Sequence, residues 1–349
     1  MEQDATLTPK RRLDLLQGAL DGAPRVWVLV HDSPDPDAMA GGWCARGIIG
    51  ERFGLECEVV YGGVIGRPEN RAMVELLEIP LWHIESISPE PEDRFVTVDT
   101  QPGFGNNALP KGATVAAVID HHPPSEPVSA PLVDVRPDYG AVGTMLAEYA
   151  VAAGLPLTGP LSTALAYAIL TETSDLGREV SEADLKLYTQ LLPRVDHKLL
   201  GRLRHPRMER DFYATLHRGL LQARLHRDVV ACHLGAVGNV DEVARLADIL
   251  NALAGSRWVL CTGVYAGVMI LSLRTSDQQC NAGRVLERAV GHRGGAGGHG
   301  MVAGGQVPMP DEKDRDALEQ KLTGSVLAEL GYDKNAPFEP LLPDQHVNP

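Results

Sequence analysis

Acidic residues and histidines that could bind a metal ion follow apolar, strand-like segments at three places in the sequence. These segments are "VLVHDSPDPDAMAGG", "RFVTVDTQP" and "TVAAVIDHHPP". The residues concerned are His31, Asp35, Asp37, Asp99, Asp120, His121 and His122. An isolated Asp after a strand is ordinarily a helix cap or a turn residue, but three such strand ends in one chain argue for a shared site.

If the three strands are parallel, their carboxyl ends lie at one edge of a sheet, where ligands bind in open α/β folds. Several carboxylates at one edge would repel one another without a counter-charge. Carboxylate and imidazole ligands without a thiolate suit Mn²⁺, Mg²⁺ or Fe²⁺ better than a structural zinc ion. Asp35 and Asp37 flank Pro36, and proline restricts both its own backbone and that of the preceding residue. The pattern therefore predicts a metal centre on a rigid loop.

Strands and helices alternate in the first half of the chain, which predicts an α/β fold with a mostly parallel sheet and helices on both faces. The predicted strands are 26–30, 57–61, 95–98 and 114–119. The predicted helices are 38–53, 69–77, 142–153 and 161–170. A charged, periodic stretch, broken once at Pro206, predicts a helical connector over 195–225. The segments that follow predict a smaller α/β domain.

The second domain contains the glycine-rich run "GHRGGAGGHGMVAGG", residues 291–305. Such a run is either a flexible linker or a phosphate cradle, because glycines allow close backbone approach and successive N–H groups can bind an anion. A helix predicted over 281–290 and the strand-like "QVPM" that follows favour the cradle. Arg274, near a strand end in "LSLRTS", could also bind a phosphate.

Composition narrows the class of protein. The 349 residues, 44% of them hydrophobic, suffice for two packed domains. A net charge of −14 argues against binding of long duplex nucleic acid. The five cysteines form no CxxC pair, and we find neither an apolar signal core nor a long apolar run, so a cytoplasmic protein with reduced thiols and no membrane span is expected.

These motifs resemble those of the DHH phosphoesterase superfamily. "HDSPDPDAMAGG", "VTVDTQP" and "VIDHH" match its first three motifs. "GGHGMVAGG" resembles the Gly-Gly-His signature of the C-terminal DHH-associated domain in the branch of nano-RNases, pAp phosphatases and cyclic-dinucleotide phosphodiesterases. The resemblance covers roughly residues 24–308. It implies an N-terminal extension (1–23), a metal-binding catalytic domain (24–194), the connector (195–225), a substrate-binding domain (226–335) and a tail (336–349), with the active site between the domains.

The resemblance also implies a role for each site residue. His31, Asp35 and Asp99 would bind one Mn²⁺ ion, while Asp37, Asp99 and His121 would bind a second, with Mg²⁺ or Fe²⁺ as alternatives. His122 would contact the scissile phosphate or orient a ligand, and Asp120 would support the histidines. The substrate-binding residues would be Arg274, Gly297, Gly298, His299 and Thr144, with Gly143 a further lining residue.

One segment departs from the family pattern. The fourth motif commonly supplies an Asp at the end of a helix to the second metal, whereas this chain reads "AILTETSDLGRE". Direct register places Glu172 at that position and Asp175 three residues later. We favour Glu172 as the ligand, with Asp175 as the alternative.

The sequence thus predicts a phosphodiesterase or phosphatase that uses two metal ions to activate water. Its substrates would be small nucleotides or short single-stranded oligoribonucleotides: nano-RNA dinucleotides such as pApA, 3′-phosphoadenosine 5′-phosphate (pAp) or a cyclic dinucleotide. A homodimer is compatible with the sequence. The alternatives are a nucleotide-sensing module with impaired catalysis, suggested by Glu172, and an exonuclease or pyrophosphatase of the same superfamily.

Overall fold

The computed structural model describes residues 7–124, 127–309 and 311–342, without the side chains of residues 299 and 312. The chain divides into two compact units, Met1–Arg207 and Met208–Pro349. Among the described residues, no helix combines the length and apolar character that crossing a bilayer requires.

The first unit is built on a parallel sheet. Its strands are β1 (Arg25–Leu29), β2 (Glu56–Tyr61), β3 (Leu81–His83), β4 (Arg94–Val98), β5 (Val115–Asp120) and β6 (Leu132–Val135). The strand order is β3-β2-β1-β4-β5-β6, and every neighbouring pair runs parallel. The central strands are apolar on both faces, as expected for a sheet covered by helices on both sides. The predicted α/β class with a mostly parallel sheet is confirmed.

Helices of the first unit pack around this sheet. They are α1 (Pro9–Ala19), α2 (Pro36–Gly47), α3 (Pro68–Leu77), α4 (Val142–Ala153), α5 (Gly159–Glu172), α6 (Glu182–Leu191) and α7 (His197–Arg204). Small residues at the start of α2 permit its close packing, because a Cβ at Gly42 would lie 2.9 Å from Val59 and 3.0 Å from Val30. The predicted helix 38–53 is α2 followed by a short π-helix, Ile48–Arg52.

The second unit contains a mixed sheet. Its strands are β7 (Arg224–His226), β8 (Val229–Ala236), β9 (Trp258–Tyr265), β10 (Val268–Thr275), β11 (Gly295–His299), β12 (Val302–Pro308) and β13 (Glu339–Pro340). Its helices are α8 (Arg210–Gln222), α9 (Asp241–Asn251), α10 (Ala282–Val290) and α11 (Arg315–Glu329). The order is β11-β12-β10-β9-β8-β7-β13, in which only β8 and β9 pair in parallel among the described strands.

Three segments of the structure bear on sequence-based expectations. The glycine-rich run forms the antiparallel hairpin of β11 and β12, which excludes a flexible linker. The predicted connector 195–225 contains two helices, α7 in the first unit and α8 in the second. The tail, expected to be coil, includes β13, which pairs with β7; residues 343–349 lie outside the described residues.

Candidate metal centre

Three neighbouring strands bring the predicted ligands to one edge of the parallel sheet. β1, β4 and β5 are adjacent in the sheet order. His31 follows the end of β1, Asp99 comes directly after β4, and Asp120 is the last residue of β5. Because the strands are parallel, these residues lie at the same edge, as the sequence predicts.

Asp99 lies between histidines from two different strand ends. Its Oδ2 is 3.6 Å from Nε2 of His31, and its Oδ1 is 3.4 Å from Nε2 of His121 and 3.6 Å from Nδ1 of His122. Its backbone has a φ of 60°, in the left-handed region that non-glycine residues other than Asn and Asp seldom adopt. Each carboxylate oxygen of Asp99 therefore faces a different set of potential metal ligands, so that Asp99 could bind two cations at once.

The start of α2 orients Asp35. Asp35 is the N-cap residue, and its Oδ1 accepts hydrogen bonds from the N–H groups of Asp37 and Ala38, both at 3.0 Å. Pro36 occupies the first helical position, where its missing N–H has no consequence. This cap places Oδ1 of Asp35 3.7 Å from Nε2 of His31.

Asp37 is fully buried and is oriented by the main chain at the start of α4. Its Oδ2 accepts from the N–H of Val142 at 2.7 Å, and its Oδ1 accepts from the N–H of Gly143 at 2.9 Å. The same Oδ2 lies 3.8 Å from Nε2 of His121. Gly143 thus contributes through its backbone, and a Cβ at this position would lie 3.0 Å from Oδ1 of Asp37.

Hydrogen bonds at Nδ1 orient both histidines of the DHH motif. Nδ1 of His121 lies 3.1 Å from the carbonyl oxygen of Tyr139. Because a carbonyl only accepts, Nδ1 is the protonated nitrogen, and in the neutral ring Nε2 keeps its lone pair for a metal ion. Nδ1 of His122 lies 2.9 Å from Oδ1 of Asp120, which also accepts from the His122 N–H at 3.1 Å.

Gln101 is a positioning residue that the sequence analysis did not identify. It is fully buried, and its Nε2 donates to Oδ2 of Asp120 at 2.8 Å and to the His122 carbonyl at 2.9 Å. These two bonds connect the second and third motifs directly. The signal was present in "DTQP", where a polar side chain two residues after Asp99 precedes a proline, but polarity alone does not identify a partner.

Charges within the site are balanced by protons. Burial alone would lower the pKa of His31, but attraction to Asp35 and Asp99 outweighs it and raises the pKa to about 10. The pKa of His121 is likewise raised well above its ordinary value, since Asp99 and Asp37 oppose the effect of burial. The pKa of Asp37 is also raised well above its usual range, by burial and by repulsion from Asp99. These shifts are caused by carboxylates whose negative charge a bound cation would compensate.

Glu172 and Asp175 lie in different surroundings. The pKa of Glu172 is raised to about 7, first by burial and then by the charge of Asp35, with the nearby histidines opposing the shift. Glu172 is thus electrostatically part of the carboxylate and histidine cluster. Asp175 is exposed, and its Oδ1 accepts a hydrogen bond from Arg204 at 2.7 Å. Of the two candidates, Glu172 is the one whose pKa is shifted by the charges of the cluster.

The residues present fit divalent metal ions. Oδ1 of Asp99 and Nε2 of His121 are buried and have no hydrogen-bond partner among the described residues. Two groups, each with potential ligand atoms within 4.8 Å of one another, share Asp99: His31 with Asp35, and His121 with His122. A carboxylate and imidazole donor set, with unpaired buried atoms that a cation would satisfy, is suited to Mn²⁺, Mg²⁺ or Fe²⁺.

Thr144 follows Gly143 in α4 and is hydrogen-bonded to Asp184. It is 1% exposed, and its Oγ1 donates to Oδ1 of Asp184 at 2.5 Å. Oδ2 of Asp184 accepts from the N–H of Gly140 at 2.8 Å and from the N–H and hydroxyl of Ser181. Asp184 therefore fixes the turn that carries Tyr139 and leads into α4. Sequence reasoning did not identify Asp184, because its only local signal is a capping box at the start of α6.

Arg274 lies in the second unit and is 4% exposed. Its Nε donates to Oδ1 of Asp248 at 2.5 Å, and its Nη1 donates to Oγ of Ser272 at 2.8 Å and to the carbonyls of Leu273 and Ala303. A role in phosphate binding stays a prediction, and it requires the guanidinium to bind substrate while paired with Asp248.

The predicted glycines lie in β11 of the hairpin. Gly298 has a φ of 153°, and a Cβ there would lie 2.3 Å from the carbonyl oxygen of Val302. A Cβ at Gly297 would meet no atom within 4 Å. The His299 backbone ends β11, but its side chain lies outside the described part of the chain. The predicted role of Gly297, Gly298 and His299 in substrate binding stays a prediction.

Comparisons with known proteins agree with this architecture. Residues 227–323 match the DHHA1 domain. An uncharacterized protein of Methanocaldococcus jannaschii is 29% identical over 308 residues, covering 87% of this chain and 63% of that protein. The chain thus spans less than two thirds of the length of this curated relative.

Solved structures share the two-domain fold. An exopolyphosphatase-related protein from Bacteroides fragilis aligns with a TM-score of 0.72 at 12% identity, covering 93% of this chain and 99% of that one. RecJ from Thermus thermophilus, solved in complex with Mn²⁺, aligns with a TM-score of 0.52 at 19% identity, covering 94% of this chain and 56% of that one.

The comparisons show a two-domain α/β fold whose C-terminal part matches the DHHA1 domain. The matched domain and the shared fold agree with the resemblance to the DHH phosphoesterase superfamily seen in the sequence.

Proposed function

We propose that this protein is a metal-dependent phosphodiesterase or phosphatase that hydrolyses short phosphorylated nucleotides. The observation that carries the proposal is the position of Asp99, whose two oxygens face separate groups of potential ligands. A carboxylate shared in this way suits a pair of metal ions. The resemblance of the motifs to the DHH superfamily and the match to the DHHA1 domain support this reaction class.

Each ion would have its own set of ligands. His31, Asp35 and Asp99 would bind one ion. Asp37, Asp99 and His121 would bind the other, together with Glu172. Bound divalent ions would act as Lewis acids on the phosphate and would lower the pKa of water. Mn²⁺ is the ion we propose, and RecJ has been solved with it.

The chain's own residues orient the substrate and its charge. His122 donates its Nδ1 proton to Asp120, and attraction to Asp120 and Asp99 raises the pKa of His122 despite burial. A protonated His122 can donate a hydrogen bond to a phosphate oxygen. Gln101 positions His122 through its bond to the His122 carbonyl.

Substrate choice is proposed to depend on the second unit. The glycines of β11, with His299 and Arg274, would bind a terminal phosphate of pApA, pAp or a cyclic dinucleotide. Short substrates are favoured over long duplexes because the net charge is −14. A cytoplasmic location and a homodimer stay predictions.

A substrate panel tests the proposal. The purified chain is assayed on pApA, pAp and cyclic dinucleotides with Mn²⁺ or Mg²⁺, and the substrates are ranked by kcat/KM. Asp138→Asn, at an exposed carboxylate of the same unit, serves as a control for Asp99→Asn. Hydrolysis that survives both EDTA and Asp99→Asn would contradict the proposal, as would the absence of hydrolysis of every member of the panel.

A further inference from the structure

The second unit contains a cavity of about 460 Å³ that has no part in the proposed reaction. It lies between β7 and β8, helix α11 and the segment 334–338. In the sheet order, strands β9, β10 and β12 separate β8 from the glycine strand β11. The metal ligands all belong to the first unit. The volume lies within the range of small-molecule sites.

His233, in the wall of this cavity, has a defined hydrogen-bonding state. The hydroxyl of Thr262 donates to Oε1 of Glu319 at 3.2 Å, so its oxygen accepts from Nδ1 of His233 at 2.8 Å. Nδ1 therefore carries the proton, and Nε2 is an acceptor. Nε2 lies 3.4 Å from the hydroxyl of Thr323, which also lines the cavity. Burial lowers the pKa of His233 to about 4, in keeping with a neutral ring at pH 7.

The charged side chains that line the cavity are cationic. The lining includes the cationic side chains of Arg224 and Lys334 and contains no Asp or Glu among the described residues. Both cations are exposed, in a chain of net charge −14. Such a site attracts an anion, and phosphate binds Arg and Lys through charge-assisted hydrogen bonds.

The remaining lining residues can contact a ring. Leu327 and Phe338 offer apolar surface, while Gln320 and Asn335 offer amide donors and acceptors. Inorganic phosphate alone would leave most of this volume unused. A nucleobase has the required combination of a flat apolar face and a polar edge.

We propose that this cavity is a second ligand site, which binds a nucleoside monophosphate. The phosphate contacts Arg224 and Lys334, and the base packs on Phe338. A base N–H replaces the long contact of the Thr323 hydroxyl and donates to Nε2 of His233. This site is separate from the metal centre and does not depend on hydrolysis.

Isothermal titration calorimetry tests this site. Adenosine 5′-monophosphate (AMP) or inorganic phosphate is titrated into the full chain in the presence of Mn²⁺. We expect AMP to bind both the native chain and Asp99→Asn, in which the metal centre is impaired. Arg224→Glu and Lys334→Glu should each weaken AMP binding about tenfold or more, since each removes a charge-assisted bond. Lys321→Glu, an equal charge change at an exposed position of α11 outside the lining, should leave the affinity unchanged.

His233→Phe keeps roughly the volume of the ring and removes the hydrogen-bond acceptor, so it should weaken the binding of AMP more than that of phosphate. If this variant does not fold, Arg224→Glu and Lys334→Glu still decide the test. Three results would overturn the site: no AMP binding, AMP binding unaffected by both glutamate variants, or phosphate binding as tight as that of AMP. AMP binding that disappears with Asp99→Asn would assign it to the metal centre and overturn the second site.

Discussion

His121 in the first unit and His233 in the second have similar attachments but opposite electrostatic surroundings. Each has Nδ1 bonded to an oxygen, the Tyr139 carbonyl or the Thr262 hydroxyl. His121 faces Asp99 and Asp37, so its pKa is raised well above the ordinary value. Hydroxyl groups contact His233, and burial lowers its pKa to about 4. Surrounding carboxylates make the first ring part of the proposed cation site, whereas hydroxyl contacts make the second a neutral hydrogen-bonding group.

Removing the shared carboxylate tests the first half of this contrast and should have the largest effect. Asp99→Asn should lower kcat/KM roughly a thousandfold, because losing a bridging ligand costs several kcal/mol of transition-state stabilisation. The same change should abolish most of the rise in Tm that Mn²⁺ causes in the parent chain. That rise reflects about 2.7 kcal/mol at a hundredfold excess over the Kd. An unchanged Tm in EDTA and Mn²⁺ for the parent chain would contradict the shared cluster.

The electrostatic coupling of Glu172 provides the next test. Glu172→Gln should reduce kcat/KM about a hundredfold at fixed Mn²⁺, less than Asp99→Asn, because Glu172 would bind one ion and Asp99 both. Asp175→Asn, its matched control in the same segment, should have less than about a threefold effect, because an exposed ion pair contributes little. If the control is the more damaging of the two, the ligand is Asp175.

Acid should destabilise the second unit through His233. The unfolded imidazole takes up a proton near pH 6.5 and the buried one near pH 4, so the unfolded chain binds more protons between these values. Stability contributed by the neutral ring is therefore present above pH 6.5 and is lost as the pH falls towards 4. The loss is on the order of 3 kcal/mol. Denaturant unfolding of the parent chain and of His233→Phe at several pH values measures this loss of stability. If the free energy of unfolding of the two proteins depends on pH in the same way, the role of His233 is refuted.

Among the changes near the proposed metal centre, a substitution of Asp184 should have the smallest effect on catalysis. Asp184→Asn weakens the bonds to Gly140 and Ser181 behind His121, and we expect about a tenfold lower affinity for Mn²⁺, the lower end for a residue supporting metal ligands. Excess Mn²⁺ should restore activity, which loss of a ligand would not allow. Glu182→Gln, at the neighbouring exposed position, is the control. A defect in kcat that Mn²⁺ does not rescue would argue against a positioning role.

The sequence identified the residues that cluster at the sheet edge better than the residues that position them. His31, Asp99 and Asp120 were identifiable because each follows an apolar run, and parallel strands bring their carboxyl ends together. Gln101 and Asp184 were not, because their partners are distant in sequence: Asp184 lies 44 residues from Gly140. The glycine hairpin was ambiguous for a similar reason. Glycine carries no side-chain pattern, and pairing with β12 decides its structure.

The hydrogen bond between Val142 and Asp37 joins residues 105 positions apart. Because synthesis proceeds from the N-terminus, His31, Asp35 and Asp37 emerge from the ribosome long before the main chain that orients Asp37. If Glu172 completes the proposed ligand sets, the nascent chain cannot form both of them until α5 has emerged. Tight metal uptake during translation would then be delayed until nearly half of the 349 residues exist, and it would report that the first unit has folded.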